Sequence, residues 1–473
     1  MAISWNPNRR QFLAGSAVCL ADRFLAPLER KPHQQVKLTL ASSALEIANN
    51  RFIRTTGYVD HPAGSVIRLQ PDRPIDIRIA NNTSDEEFVH WHGLRVSAAL
   101  DGTPEEESHC VAAGGVLTYT LPTSEPGFYF AHSHAMCGHD LTRGPYSGQF
   151  VPMVVGSLQC SEPFDREIFL TSHEWEPRVF DTAGNERSLE AMHHLQVDSE
   201  SEEGEDVPDD GWDIVYRAAT LNGKVLGAGE PIRVRKRERI LFRVLNASAT
   251  EHLRLSLPGH RFLVLALDGY PVPKPASVEV LELGVGERLD AIVVMDTPGV
   301  WVLGSPDDQH RALGMGIVIE YADSVGKPIW SNPAATAPWN YLRFSATTKD
   351  ETPCSNTLSY RIERRPTGPD GFERWGMALL SSGQEPLRIG ERCRITLFNS
   401  SDEAHPMHLH RFPFELASVA GQSCAGLRKD TVVVPPFQQV QFDVQPDNSG
   451  PALLHCHNQM HMDCGLKTLL SIS

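Results

Sequence analysis

Residues 450–457 read GPALLHCH, and one more histidine, His461, follows four residues later. The segment places a single thiol, Cys456, between two imidazoles and close to a third. Thiolate and imidazole ligands together favour copper over calcium, magnesium or manganese, which prefer oxygen. Structural zinc sites usually draw on several cysteines at short paired spacings, so zinc is the weaker interpretation. The segment therefore predicts a metal site that suits copper; the competing interpretation is a buried cysteine beside histidines that bind nothing.

Three other segments gather histidines in the same way, and the four segments together hold ten of the twenty histidines in the chain. Side chains alternate between the two faces of a strand, so the imidazoles of a His-X-His pattern point to the same side. Each segment can therefore present two nitrogen ligands to one metal. The segments are His90-Trp91-His92, His132-Ser133-His134 and His405-Pro406-Met407-His408-Leu409-His410.

Residues 450–457 also belong to an internal repeat. They align without gaps with residues 127–134 (GFYFAHSH) and 299–306 (GVWVLGSP), and Cys456 falls opposite a serine in both other copies. An upstream unit repeats as well: a strand, a polar turn that starts with asparagine, and a second strand that carries histidine, with His252 in the middle copy. We predict three homologous β-sandwiches, of which the middle one holds no metal ligand and acts as a spacer.

Short segments with period-two alternation, such as Gln439–Val444, are separated by glycine, proline or asparagine, and helical periodicity is scarce. This pattern is typical of an all-β protein built from stacked sandwiches. At 473 residues the chain is long enough for roughly two to four domains. Together with the repeat, the length predicts a leader at 1–35 and domains at about 36–157, 158–322 and 323–473.

The formal net charge of −16 argues against nucleic acid or an anionic membrane as a partner, because both require clustered lysine and arginine. We expect a monomer that acts on a small molecule or a metal ion. Nine cysteines are an odd number. With Cys456 as a ligand and Cys19 in the leader, seven remain, and at least one of these must be a free thiol or pair outside the chain.

The N-terminus carries the pattern of an export signal. Arg9-Arg10-Gln11-Phe12-Leu13 opens an apolar run that ends at Ala21 and is too short to span a bilayer. This segment resembles a twin-arginine signal, the bacterial route for proteins that take up a cofactor before export. We therefore expect a periplasmic or secreted protein, with a cytoplasmic location as the alternative, and no membrane span elsewhere.

The middle repeat contains a run of acidic residues at 199–210 (SESEEGEDVPDD). Such a run is typical of a solvated loop, and we interpret it in this way. The alternative is a metal-sensing role for this loop or for the nearby Met192-His193-His194.

The four histidine segments stand in the order of the four motifs of the multicopper oxidases, and the chain resembles this laccase-like family across its three repeats. The resemblance implies three cupredoxin-like Greek-key β-sandwich domains and four coppers per chain: one type 1, one type 2 and two type 3. A type 1 copper has two histidines, one thiolate and a weak axial contact that tunes its potential. By the spacing of the family, these ligands are His405, Cys456 and His461, with Leu466 in the axial position. Because leucine cannot ligate, the resemblance implies a fairly high potential, suited to phenols or aromatic amines.

The remaining eight histidines resemble the trinuclear cluster of the family, whose ligands come from the first and third domains. The resemblance assigns the type 2 copper to His90 and His408. It assigns one type 3 copper to His92, His132 and His457, and the other to His134, His410 and His455. The segment from His455 to His457 then forms a short covalent electron path between the two centres. Four coppers can store the four electrons that reduce dioxygen to two waters.

Asp101 follows His90 by eleven residues, the spacing at which the family has a carboxylate beside the type 2 copper. The resemblance implies that Asp101 supplies protons for the reduction of dioxygen. The competing interpretation is that Asp101 and Gly102 only form a turn. Several bacterial relatives have a further carboxylate directly after the second type 1 histidine. Here that residue is Met462, and the next residue, Asp463, alternates to another face.

The resemblance implies an oxidase that couples one-electron oxidation of a phenolic or aromatic reductant to the reduction of dioxygen. The alternative within the family is a metallo-oxidase of Cu(I), Fe(II) or Mn(II). A methionine-rich insertion would favour Cu(I) as the substrate, but the chain has only ten methionines and no cluster of them. Oxidation of Fe(II) would require carboxylates near His405 or His461, and the candidates are Asp402, Glu403 and Asp463. The alternative from another class is a copper-free relative that binds partners. Such relatives have lost ligands, whereas all ten histidines and Cys456 are present here.

Overall fold

The computed structural model describes residues 33–123, 125–138, 140–157, 162–181, 183–187, 212–333, 339–346, 353–368, 371–381 and 386–473. The twin-arginine segment, the acidic run at 199–210, Met192-His193-His194, Cys19 and Cys160 lie outside these residues. Within the described part of the chain, no helix is both long and apolar enough to cross a membrane. No disulfide joins any two of the seven cysteines in that part of the chain.

The described residues form 33 strands, numbered here β1 to β33 in chain order, and very little helix. Strands β1 to β8 are Gln34–Ala48, Arg51–Tyr58, Ile67–Leu69, Ile75–Asn81, Val89–His92, Val116–Leu121, Gly127–Ser133 and Phe150–Val155. Strands β9 to β22 are Arg166–Trp175, Arg178–Phe180, Glu186–Arg187, Asp213–Val215, Ala218–Leu221, Ile232–Val234, Arg239–Asn246, Leu253–Ser256, Phe262–Leu267, Tyr270–Val278, Val280–Leu283, Arg288–Val294, Val300–Gly304 and Gly316–Tyr321.

Strands β23 to β33 are Asn356–Arg365, Arg374–Leu379, Cys393–Asn399, His405–Leu409, Phe414–Val419, Gln422–Ser423, Arg428–Lys429, Thr431–Val434, Gln439–Val444, Ala452–Cys456 and Lys467–Leu470. Helix α1 is Asp308–Ala312 and helix α2 is Gln459–Asp463. Single 3-10 turns are found at Ala98–Leu100, Pro104–Glu106, Gly144–Ser147 and Tyr341–Phe344. The predicted all-β class is therefore confirmed.

The strands form three sandwiches of two sheets each. The first has the strand orders β2-β1-β4-β6 and β3-β8-β7-β5, and the second has β13-β9-β15-β20-β17-β18 and β14-β22-β21-β16-β19. The third has β24-β23-β25-β31-β27-β28, to which β29 adds, and β30-β26-β32-β33, while β11-β10-β12 form a small separate sheet. In each sandwich the first strand pairs in parallel with the strand that ends in the polar turn: β1 with β4, β9 with β15, and β23 with β25.

The polar turn is built by a buried asparagine in each sandwich: Asn81, Asn246 and Asn399. Its side-chain oxygen accepts a hydrogen bond from the backbone N–H two residues later, at 3.0, 3.1 and 2.9 Å. Its side-chain N–H donates to a backbone oxygen four or five residues later, at 2.7, 2.9 and 2.7 Å. Local side-chain bonds of this kind stop a strand and set the direction of the next one. The same residue type thus sets the path of the strand that follows in all three copies.

Burial differs between the two sheets of a sandwich. In β4, Ile75, Ile77 and Ile79 are buried while the residues between them are not, which is the alternation expected of a half-exposed sheet. In β7, β26 and β32 every residue is buried, so these strands hold polar side chains away from water. One apolar core fills the first sandwich, and another runs through the second and third. The predicted boundaries fall after β8 and after β22 and stay predictions.

Candidate metal centres

Two pairs of strands carry most of the histidines of the four segments. In the first sandwich β5 pairs with β7 so that His90 lies beside His132, and in the third β26 pairs with β32 so that His408 lies beside His455. The two sandwiches meet at these strands. The ring of His92 stacks on that of His408, with 3.7 Å between centroids. The two histidine sets therefore form one cluster at the contact between the first and third sandwiches.

Eight histidines form this cluster, and none is more than 9% exposed: His90, His92, His132, His134, His408, His410, His455 and His457. Burial lowers the pKa of all eight, and neighbouring histidines lower it further for most of them. The pKa falls to about 3 for His132 and to about 4 for His455. The rings are therefore neutral at physiological pH, which is the form that binds metal.

His90 and His408 point one nitrogen at each other. Nδ1 of His90 donates to the backbone oxygen of Asp101, and Nδ1 of His408 donates to that of Asp430, both at 2.8 Å. A carbonyl oxygen only accepts, so each neutral ring carries its proton on Nδ1 and its lone pair on Nε2. The two Nε2 atoms lie 3.3 Å apart. Two lone pairs opposed in a dry site repel each other, and a cation between them removes this cost.

His134, His410 and His455 form a second group of the same kind. Nδ1 of His410 donates to Oδ2 of Asp101, and Nδ1 of His455 donates to the backbone oxygen of Cys456, both at 2.8 Å. The Nε2 lone pair of His455 therefore faces Nε2 of His410 at 3.0 Å and Nε2 of His134 at 3.4 Å. Three ligand atoms within 4.8 Å of one another fit a single metal ion.

His92, His132 and His457 form the third group. Nε2 of His92 donates to Oδ1 of Asp430 at 3.0 Å, which leaves the lone pair on Nδ1, 3.2 Å from Nε2 of His457. Nδ1 of His132 donates to a backbone oxygen at 2.8 Å, and its buried Nε2 has no partner. A buried ring nitrogen without a partner is costly, so this group also fits a metal. The structure brings all eight predicted histidines together; their individual roles stay predictions.

The remaining predicted ligands form a separate site within the third sandwich. Nδ1 of His405 and Nδ1 of His461 lie 3.1 Å apart, and Sγ of Cys456 lies 3.8 and 3.7 Å from them. The outer nitrogen Nε2 of His405 bonds Oγ of Ser401 at 2.9 Å, and Nε2 of His461 bonds Oε2 of Glu403 at 3.2 Å. These outer bonds hold both rings with Nδ1 towards the sulfur, as second-sphere partners of metal ligands do.

Two apolar groups close this site. Leu466 is fully buried; its N–H donates to the backbone oxygen of His461 at 2.8 Å, and its backbone oxygen accepts from Cys456 at 3.0 Å. Trp375 packs its ring against His405 and His461, with centroids 4.6 and 4.7 Å away. Burial raises the pKa of the Cys456 thiol, but a coordinated thiol is deprotonated by the metal itself. The sequence patterns did not indicate Trp375.

The second sandwich reaches the eight-histidine cluster through a charged contact that the sequence analysis missed. Arg288, fully buried at the start of β20, donates to both carboxylate oxygens of Asp430 at 2.7 and 2.6 Å. Asp430 in turn accepts from His92, and Asp268 accepts from the backbone N–H of Asp430 at 3.3 Å. The sequence did contain a sign of this contact, because an arginine begins the otherwise largely apolar strand RLDAIVV. The middle domain is thus more than a spacer, because its Arg288 holds Asp430 and Asp430 holds His92.

The prediction that His252 is the counterpart of His90 and His408 in the middle copy is wrong. In the sheets, Ser256 pairs with Gly304, the position at which the other two sandwiches pair two histidines. The error arose because the sequence alignment took the first histidine after the polar turn, whereas strand β16 begins one residue after His252. The middle copy therefore has a hydroxyl and a hydrogen where the other copies have imidazoles.

Asp101 contacts the cluster with its side chain. Gly102 makes the turn: its φ is +81°, and a Cβ on it would lie 1.8 Å from the backbone oxygen of Val89. The Asp101 carboxylate accepts from Nδ1 of His410, and Glu106, which lies 3.6 Å from that nitrogen, is buried beside it. Burial, then their mutual repulsion, raises the pKa of Asp101, and burial raises that of Glu106 to about 7. Sequence reasoning missed Glu106, one of three consecutive glutamates.

A cleft of about 330 Å³ opens beside the Cys456 site. Asp213, Glu373 and Glu403 give it acidic walls, Trp375 gives it an aromatic one, and His461 reaches its floor. The two other carboxylates suggested by the sequence lie elsewhere. Asp402 is exposed and bonds Arg364 at 2.9 Å, and Asp463 accepts the backbone N–H groups of Cys137 and Gly138 at 3.2 and 2.9 Å. The cleft therefore lies beside one of the predicted ligands of this site, His461.

Comparison with known proteins identifies the family. Three sequence profiles, each described as Multicopper oxidase, match residues 45–157, 190–317 and 374–472. The chain is 27% identical over 464 residues to "Multicopper oxidase MmcO" of Mycobacterium tuberculosis, covering 93% of this chain and 88% of that protein. It is 22% identical over 459 residues to "Iron transport multicopper oxidase FET3" of Gibberella zeae, covering 84% of this chain and 69% of that protein.

The fold is also similar to that of a solved laccase from Botrytis aclada, with a TM-score of 0.74, 17% identity, and coverage of 93% of this chain and 87% of that one. This similarity confirms the prediction of three cupredoxin-like domains. The three profile matches follow one another along most of the chain, in the order of its three sandwiches. The chain therefore belongs to the multicopper oxidase family and is an oxidoreductase that uses dioxygen as its acceptor.

Proposed function

We propose that this protein holds four coppers, takes single electrons from a reductant at a type 1 site and passes them to dioxygen at a trinuclear site. His405, Cys456 and His461 would hold the type 1 copper, with Leu466 in the position that the resemblance assigns to the axial contact. The type 2 ligands are His90 and His408, and the type 3 ligands are His92, His132, His457, His134, His410 and His455. The observation that carries this proposal is the approach of buried imidazole nitrogens to 3.0–3.4 Å, with two lone pairs opposed where His90 meets His408 and where His410 meets His455.

Cys456 links the two sites. Bound copper would supply one-electron redox chemistry at both places, with four metals together storing the four electrons that reduce dioxygen to two waters. The Cys456 sulfur faces His405 and His461, while its neighbours in the chain, His455 and His457, belong to the eight-histidine cluster. Alternation of side chains along β32 makes this possible, because adjacent residues point to opposite faces. The electron path is then the Cys456 side chain, two stretches of backbone and two rings.

The axial position sets how readily the type 1 site accepts an electron. Leu466 offers no donor atom, and its side chain is fully buried. A site without an axial thioether favours Cu(I) over Cu(II), because the oxidised ion gains more from a donor. Leu466 therefore supports a fairly high potential, as the oxidation of phenols and aromatic amines requires.

Asp101 and Glu106 are placed to hold protons beside the trinuclear site. Asp101 bonds His410, and Oε1 of Glu106 accepts from the backbone N–H of Leu453 at 2.7 Å. One oxygen of each carboxyl, Oδ1 of Asp101 and Oε2 of Glu106, is buried without a partner. Their raised pKa values let the pair keep a proton near neutral pH. This arrangement supports Asp101 as the proton relay. Glu106 would be a second carboxylate of the relay, in a chain that has Met462 where several relatives have one.

The first candidate reductant is a phenol or an aromatic amine. The cleft beside His461 has the size of a small aromatic ring system, and the Trp375 ring forms part of its wall. An aromatic substrate can pack on such a wall, and a ring that touches His461 lies one imidazole from the metal. The similarity to a laccase is one of fold alone, so the cleft itself supports this candidate.

The second candidate reductant is a metal ion, Cu(I), Fe(II) or Mn(II). Asp213, Glu373 and Glu403 line the same cleft, and Glu403 bonds the outer nitrogen of His461 at 3.2 Å. Carboxylates concentrate cations and also suit Fe(II) and Mn(II) as ligands. A cation held by Glu403 would lie one imidazole away from the metal.

A steady-state comparison on the copper-loaded enzyme separates the candidates. Oxygen uptake is measured with a diphenol, with Fe(II) and with Cu(I), together with the amount of hydrogen peroxide released. The proposal predicts that four electrons are taken from the reductant for each dioxygen consumed, with no peroxide. Two electrons per dioxygen, or stoichiometric peroxide, would contradict the trinuclear assignment. The reductant with the highest kcat/KM identifies the substrate class.

The export route is proposed from the N-terminal sequence alone. Arg9 and Arg10 resemble a twin-arginine signal, and we propose a monomer that is exported to the periplasm or secreted. Replacing both arginines by lysine should leave the blue protein in the cytoplasm of a bacterial host. Unchanged export of this variant would contradict the proposal.

A further inference from the structure

A second cluster of metal-binding side chains lies in the middle sandwich, outside the sites described above. A cleft of about 690 Å³ is lined there by Glu174, Glu251, Asp307 and His310, among others. Glu174 comes from β9, His310 from helix α1, and Glu251 from the polar turn that starts at Asn246. Three separate parts of the sandwich thus direct acidic groups and an imidazole into one space.

Glu174 is the best-defined member of this cluster. Its side chain is only 2% exposed, and Oε1 accepts a hydrogen bond from Nε2 of His310 at 2.9 Å. The other carboxylate oxygen, Oε2, is buried without any hydrogen-bond partner. A buried carboxylate oxygen without a partner is costly, and more so when the group is charged. A cation in the cleft would remove this cost.

His310 has the arrangement of a metal-bound histidine. A carboxylate only accepts hydrogen bonds, so the ring nitrogen that faces Glu174 carries a proton. In the neutral ring the lone pair is then on Nδ1. A histidine that donates one ring N–H to a carboxylate while its other nitrogen binds metal is the usual arrangement in protein metal sites. The competing interpretation is an imidazolium that forms a simple ion pair with Glu174, since that contact raises the pKa of His310 against the effect of burial.

Glu251 occupies the position in the middle copy that Glu403 has in the third. The buried asparagine of each polar turn donates to the backbone oxygen of these residues, Asn246 to Glu251 at 2.9 Å and Asn399 to Glu403 at 2.7 Å. Burial, then the charge of Glu174, raises the pKa of Glu251, so the two carboxylates repel each other. Arg254 also lines the cleft, but its guanidinium bonds Glu282 at 3.2 Å.

We propose that Glu174, Glu251 and His310 form a binding site for a divalent metal ion in the middle domain. Two carboxylates and one imidazole suit Fe(II), Mn(II), Co(II) and Zn(II), whereas a thiolate or thioether would be needed to select Cu(I). The ion offsets the repulsion between the two carboxylates and gives Oε2 of Glu174 a partner. This site lies apart from the proposed copper ligands, and its binding of metal does not depend on their roles.

The position of the site gives it a part in substrate delivery. Its cleft shares Ile214, Glu251 and His252 with the acidic cleft at His461, so the two clefts are adjacent. A metal-ion reductant that binds first at Glu174 is held beside the type 1 site, at a raised local concentration. This role rests on the proposed function, specifically on a metal ion as reductant, whereas the site itself does not.

Titration with Co(II) tests the site, in enzyme that has been loaded with four equivalents of copper and freed of any further copper, because excess copper would occupy this site as well. Co(II) does not displace bound copper, because copper binds more tightly to any of these ligand sets, and it is not a reductant for a type 1 site. The wild type should bind one Co(II) in addition to its copper, with visible d–d absorption. Glu174→Gln and Glu251→Gln should each weaken this binding at least about tenfold, the low end for loss of a ligand or its partner. Asp308→Asn is the matched control, because Asp308 is 78% exposed and bonds Arg311 outside the cleft.

The outcomes separate cleanly. Copper content and the blue band report the fold of every variant, and Gln in place of Glu174 still accepts the hydrogen bond of His310. If the wild type binds no Co(II), or if both glutamine variants bind it as the control does, the site is overturned and Glu174 and His310 are an ion pair only.

If Co(II) binds as proposed and the KM for Fe(II) in Glu174→Gln rises by more than the KM for an uncharged diphenol, the delivery role is supported. An equal change in both KM values overturns that role and leaves the site standing. An enzyme that reduces no dioxygen overturns the proposed function, while the Co(II) titration still decides the site.

Discussion

The middle sandwich and its two neighbours share one backbone plan but differ at the positions that hold metal. All three have the buried asparagine turn, and in all three the strand after it pairs with the strand of the second repeat unit. At the equivalent pair of positions the third sandwich has His408 beside His455, and the middle one has Ser256 beside Gly304. The fold thus supplies a place for ligands, and a few side chains decide whether metal can bind there.

The comparison also shows what the middle sandwich contributes instead. Arg288 extends from β20 to Asp430, and Asp430 holds His92. Lys429, also fully buried, forms ion pairs with Asp268 and Glu287 of the middle sandwich, with 2.9 Å between Nζ and a carboxylate oxygen in each. The first and third sandwiches hold the predicted copper ligands, while the middle sandwich provides the charges that fix the orientation of one of them, His92. The predictions below test this division.

The largest effect is expected from Cys456→Ser, which gives the third copy the serine that the other two have at this position. Serine cannot replace a thiolate as a soft ligand, so the type 1 copper and the blue absorption should be lost. Electron entry should stop, and turnover should fall by orders of magnitude. The trinuclear site should keep its copper, which metal analysis can count. A variant that stays blue, or a wild type that binds about four coppers without a blue band, would rule out Cys456 as the ligand.

Arg288→Met should give the next largest effect, and it tests the contribution of the middle sandwich. The change leaves Asp430 buried without its charge partner, which typically costs about 3–5 kcal/mol of unfolding free energy. We expect this loss in denaturant unfolding of the copper-free protein, together with reduced copper occupancy at the His92 group. Arg261→Met is the control, because Arg261 is 53% exposed and its ion pair with Glu279 should contribute about 0–1 kcal/mol. If the two variants were equally stable, Arg288 would contribute no more than a surface ion pair, and the middle domain would act only as a spacer.

Asp101→Asn should have a smaller effect that is limited to proton supply. Asparagine preserves the size of the side chain and suits a turn equally well, but it cannot act as an acid or base. We expect unchanged copper content, an unchanged blue band and a normal rate of type 1 reduction. Turnover of dioxygen should fall about tenfold or more, the low end of what positioned proton transfer contributes. Full turnover in the copper-replete variant would mean that Asp101 only shapes the turn.

The smallest effect is expected from Glu106→Gln and concerns the pH profile. Burial raises the pKa of Glu106 to about 7, so its carboxyl holds a proton below that pH and loses it above. If this proton is passed to Asp101, the turnover of dioxygen should be highest below about pH 7 and fall as the pH rises through that value. Glutamine cannot carry the proton, so turnover of the variant at acid pH should be lower than that of the wild type, by less than about tenfold. Its turnover should also not decrease as the pH rises through about 7. A wild-type profile that keeps its shape in the variant would exclude Glu106 from the relay.

The sequence predicted which histidines the structure brings together, because the patterns that indicate metal sites are short and local. Two histidines at i and i+2 on a strand face the same side wherever the strand lies. Each His-X-His segment therefore predicts a metal site without any knowledge of the fold. The contacts of Arg288, Trp375 and Glu106 could not be predicted in the same way, because each depends on which strands meet across domains. The error at His252 has a related cause, since strand register is set by pairing and turn length, and the sequence alone shows neither.

Copper should bind where the first and third sandwiches offer imidazoles and a thiolate, and the equivalent place in the middle sandwich should hold none. Anomalous X-ray diffraction from crystals of the copper-loaded protein, recorded on both sides of the copper absorption edge, tests this directly. We predict three peaks within the eight-histidine cluster and one between His405, Cys456 and His461. A copper peak at Ser256 and Gly304, or fewer than three peaks within the fully loaded cluster, would contradict the claim.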